Sequence, residues 1–284
     1  MDGIKDLEKK ESQEIDELLN NQKAERKAIK EEQKRIRKEE KKRLKAEQKE
    51  IEKNRPLTEK ELLIKKRNEP PKLTVLEEVG NSITHGVGAI FAIVALTLML
   101  LKSTTPAMVT SSIVYGACMF IMMLMSCLYH AWRSGSTVKR VWRRFDYISI
   151  YLLIGGTFTP LQLIELSRNN VPQYWGVIWF IIMWVLIVVG ITMTSIFGPG
   201  RVRWINYPLY FTIGWAGLIF LPIWIVHGRI NLLLWILIGG IVYTLGMIPF
   251  AKRGLKGAHF IWHFFVLAGA FVQWLGIYLL VFCA

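Results

Sequence analysis

From Ile83 to its end this 284-residue chain is a succession of apolar runs broken by short polar stretches, and seven runs fit, at roughly 83–101, 107–131, 145–166, 174–196, 205–226, 231–250 and 259–282. Each is about the 20 residues that a helix needs to cross a bilayer. The breaks are turn-like: Lys102 to Pro106, Arg133 to Arg144, Ser167 to Gln173, Gly198 to Arg203, His227 to Asn231 and Lys252 to Ala258. Pro208 and Pro222 fall near the ends of the fifth run. The expected fold is all-α: an integral membrane bundle of seven transmembrane helices, residues 73–284, behind a charged, helical or disordered N-terminal extension, residues 1–72.

Loop charge predicts the orientation, because Lys and Arg accumulate in short cytoplasmic loops. The second, fourth and sixth loops carry five, two and three of them, and the first, third and fifth carry one each. The reading is a multi-pass protein of the cell membrane, N-terminus cytoplasmic and C-terminus outside. No charged-then-apolar signal pattern opens the chain, so insertion is expected to rely on the spans. The three cysteines, Cys118, Cys127 and Cys283, lie in apolar runs and suggest no disulfide framework.

A chain that is 52% apolar yet has a net charge of +14 is not a single soluble domain, and the two properties separate along it. Of 22 acidic residues, 20 lie at or before Glu78; the remaining 206 residues hold only Asp146 and Glu165. The first 72 residues carry 23 basic and 18 acidic side chains, with no Gly or Pro between Ile4 and Arg55, which favours one long helix ending before Pro56. Pairs such as Glu31 with Arg35 and Glu39 with Arg43 would each add roughly 0.2–0.5 kcal/mol. Ile15, Ile29 and Ile36 share a heptad position before the pattern slips to Leu44 and Ile51, while the other seam position reads Leu18, Glu25, Glu32, Glu39. A solvated single helix or partly disordered tail therefore fits better than a coiled coil. Mixed signs and the lack of any aromatic residue argue against nucleic acid as a partner; anionic lipid headgroups suit the surplus positive charge. Membrane lipid is the expected partner of the rest, and the sequence leaves the oligomeric state open.

Only five histidines occur, and His259 and His263 lie four apart, on one face of a helix. With the orientation above, His85, His130, Asp146 and His259 all fall near the cytoplasmic face, with His263 one turn, about 6 Å, deeper. Ser126 is one turn from His130 on the same face. An ionisable group in a span costs about 2.5–3.5 kcal/mol on insertion scales, so such groups are paired or functional. A divalent cation would supply the pairing, and three imidazoles with one open position suit catalytic Zn²⁺. Plainer roles stand beside these. His85 could meet headgroups or cap a helix, Asp146 could pair with Arg143 or Arg144, Cys127 could replace Ser126, and Ser126 could bond to its own helix. Trp132, Trp142, Trp204 and Trp262 read as an interfacial belt.

Five motifs in order, Glu78-x2-Asn81-x2-Thr84-His85-x2-Gly88, Ser126-x3-His130, Arg144-Phe-Asp146, Gly156-Thr-Phe-Thr-Pro160 and His259-x3-His263, resemble the haemolysin III branch of the progestin and adipoQ receptor family, in a superfamily that includes alkaline ceramidases. The resemblance implies a seven-helix bundle with its N-terminus inside. It further implies that His130, His259 and His263 hold Zn²⁺, with Asp146 at the metal's water, Ser126 nearby and His85 accessory. The N-terminal extension is longer than expected of a bacterial member, and Gln273 stands where many members have a histidine. The function expected is a zinc-dependent membrane hydrolase, ceramidase-like, of an amide- or ester-linked lipid, with Asp146 and Ser126 catalytic. A zinc-stabilised sensor or regulator of membrane lipid state is the alternative. Cytolytic pore formation ranks last, since the spans lack a continuous polar stripe.

Overall fold

The computed structural model describes residues 2–168, 173–251 and 256–284. Four residues of the third expected loop and Lys252 to Leu255 of the sixth lie outside them, as do the side chains of Ile15 and Leu18. The regular structure among the described residues is all helical, with no strand, and the chain divides into two units between Glu61 and Leu62.

In the first unit, α1 (Asp2–Asn54) is the long helix that the run without Gly or Pro predicts. It stops before Pro56, where proline fixes φ and restricts the residue ahead of it. Arg35 pairs with Glu32, at 3.0 Å, rather than with Glu31, an i,i+3 choice on a solvated face. Beyond Pro56, Arg55 takes a two-pronged hold on Glu61 near the start of α2 (Glu59–Asn68).

The second unit holds seven helical segments long and apolar enough to cross a membrane. They are α3 (Val75–Lys102), α4 (Pro106–Ala131), α5 (Thr137–Pro160) with α6 (Leu166–Arg168), α7 (Gln173–Phe197), α8 (Pro199–Gly214) with α9 (Leu221–Val226), α10 (Ile230–Ala251) and α11 (Ala258–Ile277). Chains in hydrocarbon must satisfy each backbone group internally, which helices do. Large apolar side chains accordingly cover the outside: Ile181, Val185, Val188 and Val189 of α7 are all exposed. Small residues bring the inner helices close, as at Gly156 of α5, where an added Cβ would come within 2.7 Å of Cys118.

Two helices extend beyond their apolar runs because polar residues begin them. α3 opens on a capping box, in which the Thr74 hydroxyl accepts from the Glu77 N–H and Glu77 accepts from the Thr74 N–H. α5 starts at Thr137 behind a Ser136 cap, eight residues before the expected span. Lys139, Arg140, Arg143 and Arg144, expected in a loop, therefore lie on the first two turns of a helix.

The prolines shape the far ends. Pro160 donates no N–H, and after it the ladder widens to a π turn over Leu161–Glu165, closed by Leu166 N–H to Leu161 C=O. The fifth span breaks into α8, a 3₁₀ turn over Ala216–Phe220 and α9, with Pro222 in the first turn of α9. Packing runs α3 on α4, α4 on α5 and α10 on α11, and α11 returns against α3. The span that continues from α5 into α6 is the most enclosed, 67% of its apolar window being buried, against 22% for the α7 span.

Candidate metal centre

The polar residues that interrupt the apolar spans converge at one end of the bundle. The last turn of α4 brings His130, and Ser126 one turn before it; both are buried. The first turns of α11 bring His259 and His263. That helix starts at Gly257, whose φ of 72° only glycine adopts freely, and its N–H donates to Glu77 Oε1 at 2.7 Å. The capping carboxylate of α3 thus ties down the N-cap of α11, two residues from His259.

The three imidazoles form a close triangle. Ring centroids are 4.9 Å apart for His130 and His259, 4.7 Å for His130 and His263, and 4.9 Å for His259 and His263. One nitrogen from each lies within 4.8 Å of the others, an arrangement able to hold a metal ion. His130 Nε2 and His259 Nε2 are 3.1 Å apart. Two nitrogens at about 2.0–2.1 Å from a tetrahedral ion would be separated by about 3.3 Å, so the pair already has nearly the required spacing. His263 Nδ1 is buried without a hydrogen-bond partner. The donor set is all nitrogen, as borderline-soft divalent ions accept.

His130 is held from behind. Its Nδ1 lies 2.7 Å from Glu78 Oε2, and Asn81 Nδ2 approaches the same nitrogen at 3.4 Å. Glu78 Oε1 meets Lys139 Nζ at 2.9 Å and accepts from Ser134 Oγ at 3.2 Å. Lys139 also donates to the carbonyls of Tyr129 and Trp132, at 3.1 and 3.0 Å, where α4 ends.

Asp146 and Ser126 face each other beside the triangle, on α5 and α4. With His85, His259 and His263 they line a cavity of about 70 Å³. Its walls share Met122, Ile150, Tyr210, Met247 and Trp262 with an apolar cavity of about 110 Å³ between α5, α8, α10 and α11, so the two are neighbours across these side chains.

Among the plainer readings, the structure separates several. His85 is 1% exposed and its ring lies tilted against His263 with centroids 3.9 Å apart, so it does not meet headgroups. Arg143 donates to the Asn68 and Glu69 carbonyls and Arg144 to that of Ser195. Cys127 Sγ faces Ser82 Oγ at 3.4 Å and is no member of the nitrogen cluster. Gln273 donates to the Ile236 carbonyl, 3.2 Å away. Trp262, read as belt, walls the cavity instead. Sequence reasoning gave Lys139 and Glu77 no role. Lys139 was hidden among loop cations, and only its spacing of seven from Asp146, two turns along one helical face, could have singled it out.

The chain has counterparts among known proteins. Residues 73–274 match the family model described as "Haemolysin-III related". The chain is 36% identical over 203 residues to the protein named "Hemolysin-3" of Bacillus cereus, covering 69% of this chain and 88% of the relative. It is 30% identical over 201 residues to the "Hemolysin-3 homolog" of Bacillus subtilis (strain 168), covering 69% and 91%. A "Adiponectin receptor protein" of Drosophila melanogaster is 25% identical over 225 residues, covering 70% of this chain and 50% of the relative.

Proposed function

We propose, starting from the fact that this chain belongs to the haemolysin III-related family, that it is a zinc-dependent membrane hydrolase acting on an amide- or ester-linked lipid. The observation that carries the reading is the triangle of His130, His259 and His263 beside Asp146 and Ser126, next to an apolar cavity. His130 from α4 and the α11 pair would hold the ion. When bound, Zn²⁺ would polarise the scissile carbonyl and lower the pKa of water toward about 7. Asp146 would orient that water and take its proton, and Ser126 would donate a hydrogen bond to the developing oxyanion. The apolar cavity would receive a hydrocarbon chain, with Trp262 and Met247 flanking its path to the site.

On this reading the N-terminus and the metal end are cytoplasmic, and the basic extension lies near anionic headgroups. Deleting residues 1–70 should weaken membrane-surface binding without removing the metal.

The test is metal content and lipid turnover in His263→Ala and Asp146→Asn. His263→Ala should lose both bound zinc and turnover. Asp146→Asn should keep zinc while turnover falls about 10²–10⁴-fold, the usual worth of a general base. Full hydrolysis by metal-free protein overturns the mechanism. A second reading, zinc as a brace within a lipid-state regulator, is favoured by one fact: the triangle joins α4 to α11, helices remote in sequence. It expects zinc in both wild type and Asp146→Asn with no turnover in either. Conductance across a planar bilayer would instead favour a pore.

A further inference from the structure

Of the three clustered imidazoles, His130 alone is met by a carboxylate at close range, and that carboxylate is itself held. We infer that Glu78 and Lys139 act as one positioning unit for the metal site: Lys139 fixes the Glu78 carboxylate, and Glu78 fixes the tautomer and direction of His130. The inference rests on the metal reading above and extends it to two residues that touch neither metal nor substrate.

The Glu78 contact sets the Nδ1 end of His130. Glu78 Oε2 stands 2.7 Å from Nδ1, so Nδ1 carries the hydrogen and donates it. Nε2 is left with its lone pair directed at His259 Nε2, 3.1 Å away, where a metal ligand must point. A carboxylate bonded to the far nitrogen of a ligating histidine sets ring orientation and raises ligand basicity; losing such a partner typically costs 10–100-fold in metal affinity.

Lys139 explains why Glu78 stays in place. It is fully buried, and its three ammonium hydrogens have three acceptors: Glu78 Oε1 at 2.9 Å, Tyr129 O at 3.1 Å and Trp132 O at 3.0 Å. Two of these are carbonyls that the end of α4 leaves without helical partners, within two residues of His130. The cation therefore neutralises Glu78 and anchors the turn that carries the ligand. It also lies seven residues before Asp146 on α5, so one helix face joins the support of His130 to the proposed base.

The experiment measures zinc affinity of purified full-length protein by competition with a chromophoric chelator, for wild type, Glu78→Gln, Lys139→Met and the double variant. The Co²⁺-loaded spectrum and the metal-free melting temperature are recorded for each. Glu78→Gln should weaken zinc 10–100-fold and shift the Co²⁺ d–d bands. The double variant should bind no more weakly than the weaker single variant, because the two residues act on one ligand. The double change also removes both buried charges, so it keeps the test valid if Lys139→Met alone fails to fold. Wild-type zinc affinity and an unchanged Co²⁺ spectrum in Glu78→Gln, with only a lower metal-free melting temperature, would make the pair a structural clasp and overturn the inference. Additive losses in the double variant would overturn the claim of one unit. Wild-type protein that binds no zinc fails the metal reading itself, a result separable from these.

Discussion

Each end of the bundle buries a carboxylate against a cation, and the two ends finish differently. At the far end, Arg229 grips Glu165 through both carboxylate oxygens and also reaches the Leu280 carbonyl. This joins the π turn after Pro160 to the entry of α10 and the end of the chain. At the metal end, Lys139 and Glu78 are as well matched, but the imidazoles beyond them are not. Among the described residues, both ring nitrogens of His85 and Nδ1 of His263 have no hydrogen-bond partner, and two Nε2 atoms face one another. A buried polar group left unpaired costs about 1–3 kcal/mol, so the second arrangement is not what stability alone would select. A carboxylate–cation pair in a membrane bundle is thus no mark of function by itself. What distinguishes the two is the chemistry standing next to the pair.

The largest effect should come from opening the far clasp. Arg229→Ala removes a two-pronged partner from a wholly buried carboxylate. With Arg229 itself 26% exposed, the loss should be about 3 kcal/mol, at the low end for a buried pair. Thermal unfolding in detergent would measure it, and zinc affinity should stay within twofold of wild type. Loss of zinc in this variant would break the comparison, since it would couple the two ends.

Next in size is the metal's own contribution. Zinc at a hundred times its dissociation constant should stabilise the wild type by about 2.7 kcal/mol. Chelation should remove this, and the His130, His259 and His263 triple alanine variant should show no zinc dependence of its melting temperature. A zinc-dependent melting temperature in the triple variant would place the metal elsewhere.

Much of this was legible beforehand, for physical reasons. Hydrocarbon imposes about 20 apolar residues per crossing, so the seven spans could be counted, and so few ionisable residues break the runs that His130, Asp146, His259 and His263 stood out. Helix starts were less legible. Thr74 with Glu77, and Ser136 before Thr137, begin helices inside polar sequence where hydropathy sees only loop. That is why Lys139 passed as one loop cation among five. For His85, headgroup contact and burial predict the same residue at the same depth; its close approach to His263 separates them.

The smallest effect is the most controlled, because the molecule contains a second two-pronged arginine–carboxylate pair outside the bundle. Arg55 holds Glu61 at 2.9 and 2.6 Å, as Arg229 holds Glu165, but the two side chains are 42% and 36% exposed. Hydrogen bonds from Arg55, and then from the Thr58 backbone and hydroxyl, pull the Glu61 carboxyl down to about 2. Because the folded-state pKa is depressed, the contact contributes fully above the unfolded value near 4.5 and is lost as pH falls through about 2. Side-chain carboxyl ¹³C shifts should therefore place the Glu61 midpoint near 2, and Arg55→Ala should move it back toward 4.5. Water screens this pair, so its removal should leave the bundle's melting temperature unchanged at neutral pH. A fall as large as that of Arg229→Ala would mean that fork geometry, and not burial, sets what such a pair is worth, and the contrast between the ends of the bundle would lose its basis.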